Sequence, residues 1–263
     1  MLLNTLFPVS GTPGHLWDTL RALVGRELRM RYKGSFFGIL WAVLSPLGTA
    51  VILQFVFTKI LTISIPHFSV FIYTGMVPWT WFHASVQTSA GTLAENRNLV
   101  RTPFFAKPLL PVVVTCTNFM LYLFALPVLL ALIVGDGVPL TRALFALPLV
   151  WLVQGVFTLA FTVLIAAIGV MVRDVQHLMG VVLLFWFYLT PIFYDLKQLP
   201  PDTVRWFSAN PMTAIIVAHR AITLQGTFPN WSDLAYVALI SSVLLVVSLR
   251  IFRALEDAFI EEA

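Results

Sequence analysis

Uncharged stretches fill most of this chain, over 34–58, 60–94, 108–135, 143–172, 175–194 and 234–249. A helix crossing a bilayer needs about 20 consecutive apolar residues, because about 30 Å of hydrocarbon is covered at 1.5 Å per residue. None of the runs alternates polar and apolar as a membrane strand would. The pattern therefore predicts an all-α membrane protein with six transmembrane helices, over 36–58, 69–92, 109–134, 143–172, 176–194 and 232–252. The long second run includes a connector near Ile63–His67. The short last run is lengthened by Ile251 and Phe252, and Arg250 snorkels to the surface.

Three further segments stand out. Residues 15–33 predict an amphipathic interface helix, with Leu16, Trp17, Leu20, Leu23, Val24, Leu28 and Met30 on one arc and Asp18, Arg21, Arg26 and Arg29 off it. Glu27 and Arg31 break the apolar arc; four residues apart, they pair either with each other or with a partner protein. Gly34 and Gly38 flank the turn into the first crossing, which Pro46 should kink. Between the fifth and sixth crossings, the apolar stretch Pro211–Leu224 is too short to span, and Pro200–Pro201 and Asn210–Pro211 interrupt the chain before it. That pattern predicts two short outer re-entrant helices over 203–224. GDGVP, from Gly135, reads as a tight turn, Arg173–Asp174 as a short inner turn, and the acidic tail EDAFIEEA as solvated.

Composition agrees with a lipid environment. The 263 residues are 59% hydrophobic and 11% charged, against about 25% charged in soluble domains. The chain reads as one transmembrane domain, 1–263. With Cys116 as the sole cysteine, an internal disulfide and a CxxC metal site are both excluded. The first residues lack a basic start and a cleavage pattern, so no cleaved signal peptide is expected. If the N-terminus is cytoplasmic, eleven Lys and Arg fall on the inner side and five on the outer. The positive-inside rule thus puts both termini in the cytoplasm.

The chemistry of an energy source is missing. None of the four lysines follows a glycine, so there is no phosphate loop, and no HExxH occurs. His15, His67, His83, His177 and His219 are scattered and read as interfacial or packed. Ion-coupled transporters bury ionisable groups in their spans, whereas here the Asp, Glu, Lys and Arg residues sit at segment ends. Uphill transport by such a chain would draw on another chain. An alternative, an integral membrane glycosyl or lipid transferase, would need clustered carboxylates at one membrane face; Asp174 beside Arg173 is a thin candidate.

RYKGSFFGILWAVLSPL from Arg31, ENRNLVR from Glu95, LTPIFY from Leu189 and NPM from Asn210 occur in this order after the basic helix. Together they resemble the permease subunit of type-2 ABC exporters, and within it the branch that exports polysaccharides, O-antigen or teichoic acid. The likeness runs from about residue 15 to 252. It implies a homodimer of permeases with two separate ATP-binding ABC subunits, which hold the ATP and Mg; this chain holds no cofactor and no metal and has no catalytic residues. It implies a lipid-linked glycan as substrate and the bacterial cytoplasmic (inner) membrane as location. A drug- or lipid-exporting permease of the same superfamily is the alternative within the family.

The resemblance also assigns roles. The 95–108 loop would couple to the ATPase through Glu95, Asn96, Arg97, Asn98 and Arg101, joined by Glu27 and Arg31 of the interface helix. Arg29, Arg31 and Lys33 would attract an anionic lipid headgroup, a role that suits the guanidinium fork. Phe36, Phe37, Trp41, Phe185, Trp186, Phe187 and Tyr188 would line the export pathway, where sugar faces stack on aromatic rings. The 203–224 helices would form the outer gate.

Overall fold

The computed structural model describes residues 13–60, 65–103, 105–172, 174–256 and 259, and the side chains of 13–15 are left aside. Part of the Ile63–His67 connector, Arg173 of the inner turn and most of the EDAFIEEA tail lie outside the described residues. Those described are helical or irregular, without strands. The helices are α1 (Pro13–Arg31), α2 (Trp41–Phe55), α3 (Phe68–Glu95), α4 (Arg97–Val100), α5 (Leu109–Gly135), α6 (Leu147–Met171), α7 (Val175–Tyr188), α8 (Pro201–Ser208), α9 (Pro211–Thr223) and α10 (Trp231–Ala254). Short 3-10 turns precede α2 and α6, and a π turn, Val56–Ile60, ends α2.

Among the described residues, four segments are long and apolar enough to cross a membrane: Gly38–Ile60, Leu109–Gly135, Arg142–Met171 and Trp231–Ala254. The two others expected to cross differ for physical reasons. α3 has 28 residues, about 42 Å at 1.5 Å each, but it carries Thr74, Ser85, Ser89 and Thr92 and is buried along most of its length. It is the central post of the bundle, packed by α2, α5, α6, α7 and α9, so its solvent is protein rather than lipid. α7 has only 14 residues, about 21 Å. The uncharged run continues to Tyr194, but the helix stops at Tyr188, three residues before Pro191, whose ring disfavours helical backbone at the residue preceding it. The expected 176–194 helix is shortened accordingly.

Between helices in lipid, burial of apolar surface gives little drive, and association rests on close packing and interhelical hydrogen bonds. Both occur around α3. A Cβ added at Gly169 of α6 would lie 2.1 Å from the Ala90 carbonyl oxygen, so the two backbones meet where only hydrogen fits. Gln154 donates to the Pro78 carbonyl at 2.9 Å, Trp81 to the Thr115 carbonyl at 3.2 Å, and the Thr115 and Thr162 hydroxyls meet at 3.0 Å. Phe82 stacks on Phe157 with centroids 5.2 Å apart and meets Trp186 edge-on at 5.1 Å.

α2 is the exception. Only 11% of its most apolar window is buried. Gly34 and Gly38 have φ of +77° and +51°, conformations that suit glycine, and these turns keep Phe36 and Phe37 ahead of the helix. The expectation that both lie on the 36–58 helix is corrected: the α-helical part begins at Trp41, and Phe36 stands 95% exposed in the turn.

Candidate functional site

At one end of the bundle, α1 lies against α5. Val24, Leu20, Leu23 and Leu28 pack on Leu109, Val113 and Cys116, which accounts for the middle of the apolar arc, while Trp17 and Met30 of the same arc stay exposed. The two misfits in that arc have partners. Arg31 lies 3.8 Å from Glu27 and donates to the Asn118 Oδ1 at 2.8 Å. Asn118 is buried nine residues beyond Leu109, about 14 Å along the α5 axis. Arg31 therefore bends inward to a buried amide. It borders a cavity of about 190 Å³ between α2, α3 and α5, walled by Trp41, Ser45, Thr80 and Tyr122 among others. Arg29 and Lys33 stay exposed.

The ENRNLVR segment forms the end of α3 and the single turn of α4. Its anchor is apolar: Val100 is buried in a cluster with Leu93, Leu110, Val163, Phe252 and Phe259. Around that anchor, Glu95, Arg97, Asn98 and Arg101 are exposed. Asn96 is spoken for, accepting from Arg26 of α1 at 2.7 Å and donating to the Thr92 carbonyl at 2.9 Å. The result is a charged knob pinned by α1 on one side and by the core on the other. Two residues of the tail, which was expected to be solvated, reach back to this cluster. Glu256 pairs with the buried Lys107 at 3.5 Å, and Phe259 is fully buried against Phe252.

At the opposite end, α8 and α9 fold back over α3 and α7, and two sequence motifs meet. Asn210 caps α9 by accepting from the Met212 N–H at 3.0 Å. Its Oδ1 also accepts from the Trp186 indole at 3.0 Å, and its Nδ2 donates to the Leu189 carbonyl and the Thr190 hydroxyl at 3.1 Å. Arg220 of α9 is 6% exposed. It donates to the carbonyls of Pro191 and Ile192 at 2.6 Å and, more weakly, to that of Phe71, while its guanidinium lies 3.5 Å over the Phe71 ring. A buried cation is tolerable only with such a full set of acceptors. Beside it, the Trp151 indole donates to Tyr122 at 2.8 Å and the Tyr122 hydroxyl meets His219 at 3.3 Å, tying α5, α6 and α9. Sequence reading found the LTPIFY and NPM motifs but missed Arg220, Asn118 and the bonding between the motifs.

The ABC-2 type transporter family matches residues 18–224. The chain belongs to that family. It is 35% identical over 244 residues to the O-antigen export system permease protein RfbA of Myxococcus xanthus, covering 92% of this chain and 94% of the relative. It is 27% identical over 249 residues to the protein of the same name from Klebsiella pneumoniae, covering 94% and 96%. It is 25% identical over 248 residues to the polysialic acid transport protein KpsM of Escherichia coli, covering 92% and 95%. The ABC-2 family is one of transporter permease subunits rather than of catalytic enzymes.

The aromatic residues of this ABC-2 chain divide by exposure. Phe36, Phe37, Trp41, Phe185 and Tyr188 are exposed, on α7 and around the start of α2. Trp186 and Phe187 turn inward; Trp186 packs among Phe82, Phe157 and Phe161, and Phe187 against Trp79. Phe185 and one edge of Trp186 border an open groove of about 640 Å³, shared with Trp206 and Phe207 of α8.

Proposed function

We propose that this chain is the membrane half of an ATP-driven exporter of a lipid-linked polysaccharide. It works as a homodimer in the bacterial inner membrane, with six crossings per protomer, both termini cytoplasmic, and two separate ATPase subunits that bind ATP and Mg. The relatives named for O-antigen and polysialic acid transport, aligned over nearly the whole chain, support the polysaccharide over a drug or a simple lipid. The observation that carries the reading is the knob at 95–101: exposed charges on a buried Val100 anchor, at the foot of the central helix. A surface built this way passes force inward, because α2, α5, α6, α7 and α9 all pack on α3.

Closure of the ATPases on ATP pushes on the knob. The push travels along α3 and, through Asn96 and Arg26, into α1. The lipid headgroup arrives at the inner leaflet beside Arg29 and Lys33, whose charges are free to pair with phosphate oxygens. The glycan then passes along the exposed aromatics of α2 and α7, and the α8–α9 hairpin opens outward.

Coexpression with a phosphate-loop ATPase subunit tests the reading. The complex is expected to copurify and to hydrolyse ATP, and R97E/R101E is expected to abolish copurification while the permease still inserts. A permease that pumps glycan alone, or that ignores the ATPase, overturns it. The headgroup role makes a separate prediction. R29Q/K33Q should lower export about tenfold, as expected for losing about one charge-assisted contact, with insertion intact. R31Q should instead lower stability, since it strips the buried Asn118 of its donor. Unchanged export in R29Q/K33Q would place headgroup capture elsewhere.

A further inference from the structure

A second cleft, which shares Ser45 and Thr80 with the cavity bordered by Arg31, lies between α2, α3 and α7, with a volume of about 400 Å³. His83 lines it from the sixteenth position of the 28-residue α3. Among the described residues, neither the His83 ring nitrogens nor the Ser45 hydroxyl has a hydrogen-bond partner; the His83 ring pairs with that of Trp79, at 6.3 Å between centroids. His219, which unlike the half-buried His83 is fully buried in the bundle, is bonded through both nitrogens. The cleft is therefore apolar in its walls, with Leu183 and Phe187, and carries two unmet polar groups at its rim.

We infer that this cleft is a sugar subsite, which takes one pyranose ring of the glycan in transit, with His83 and Ser45 bonding ring hydroxyls. The inference rests on the exporter reading above. An ionisable side chain inside a membrane bundle usually faces a water-filled or substrate-bearing space. An acyl chain lying over the half-buried imidazole and the Ser45 hydroxyl would take both out of water without offering either a partner, which is costly. A metal ion would need further ligands, and no group of three His, Cys, Asp or Glu occurs among the described residues. A sugar ring matches both features, presenting apolar C–H faces to Phe187 and Leu183 and hydroxyls at its edge. The cleft opens beside the half-exposed Leu184, on the α2–α7 side along which the proposed pathway runs.

Gly180 gives a reporter position. It lines the cleft, and a Cβ there meets nothing nearer than the Gln87 side chain at 3.9 Å. In a C116A background, G180C in the permease–ATPase complex is labelled with N-ethylmaleimide in host cells. Cells that assemble the lipid-linked polymer should label at least about threefold more slowly than cells blocked at the first sugar transfer, which hold the lipid carrier alone. Equal rates overturn the subsite. In parallel, H83L should lower export by at least about fivefold, as for loss of one hydrogen bond to substrate, while ATP hydrolysis and the size-exclusion profile hold. H83Q, which keeps a donor and an acceptor, should retain most of the export. Wild-type export from H83L overturns the subsite without touching the exporter reading, whereas a wild-type complex that exports no polymer overturns both.

Discussion

R220M is expected to leave a permease that melts at markedly lower temperature and loses its α8–α9 hairpin first. Arg220 is the common donor for three backbone carbonyls on two segments, Phe71 on α3 and Pro191 and Ile192 after α7. Methionine fills much of the same volume and removes every donor. The Pro191 and Ile192 carbonyls are then stranded in a buried place, while that of Phe71 keeps its helical partner, for an expected loss of about 3–5 kcal/mol. Lysine is a poor substitute, because a single ammonium on a flexible stem cannot reproduce the planar fork. Gly75 adds a steric reason for the arrangement: a Cβ there would come within 3.2 Å of both the Arg220 Nη2 and the Ile192 carbonyl oxygen. The check is thermal unfolding in nanodiscs, with limited proteolysis between Gln198 and Gln225 as the local readout. R220M that melts with the wild type, and is cleaved no faster, would show the carbonyls to be satisfied in another way.

The second large effect is expected at Gly169. Even alanine there puts its Cβ 2.1 Å from the Ala90 carbonyl oxygen and 3.0 Å from the carbonyl carbon. The obstacle is backbone rather than a side-chain tip that could swing away, so α6 must shift from α3. Overpacking of a tight core costs about 1–3 kcal/mol, and the upper part of that range is expected here. The contact lies a turn and a half before the knob at Glu95, so G169A should affect function as well as stability. Under the proposed coupling, ATP hydrolysis by the complex should continue while export falls, because α3 would no longer sit on its neighbour. G155A serves as the control: a Cβ at Gly155 comes no nearer than 3.6 Å to the Trp81 ring. If G169A and G155A melt and transport alike, the close approach does not matter to the protein.

Much of the near end was legible in the sequence because it is written in side chains. The apolar arc of α1 predicted a face, and that face packs on Leu109 and Val113. Glu27 and Arg31, at helical spacing, were readable as a pair. The far end was less legible. Arg220 is a lone cation in an apolar stretch, which reads as a topology marker, and its partners are backbone carbonyls that leave no trace in residue identity. The length of α7 was misread because hydropathy does not register where a helix stops; Tyr194 is as apolar a neighbour as Tyr188, yet only the latter is helical. α3 was readable as a long element but not as the central post. Thr80, Ser85 and Ser89 close onto their own helix backbone, as Ser85 does on the Trp81 carbonyl, and look the same from the sequence whether the helix meets lipid or protein.

The sparse packing of α2 bears on how the protein is handled. A helix with so few internal neighbours takes its order from whatever fluid surrounds the protomer. Bilayer thickness and chain length should therefore set its tilt more than they set that of α3. Micelles, which lack a fixed thickness, would be the harshest setting for it, and hydrogen exchange along 41–55 should be fastest there.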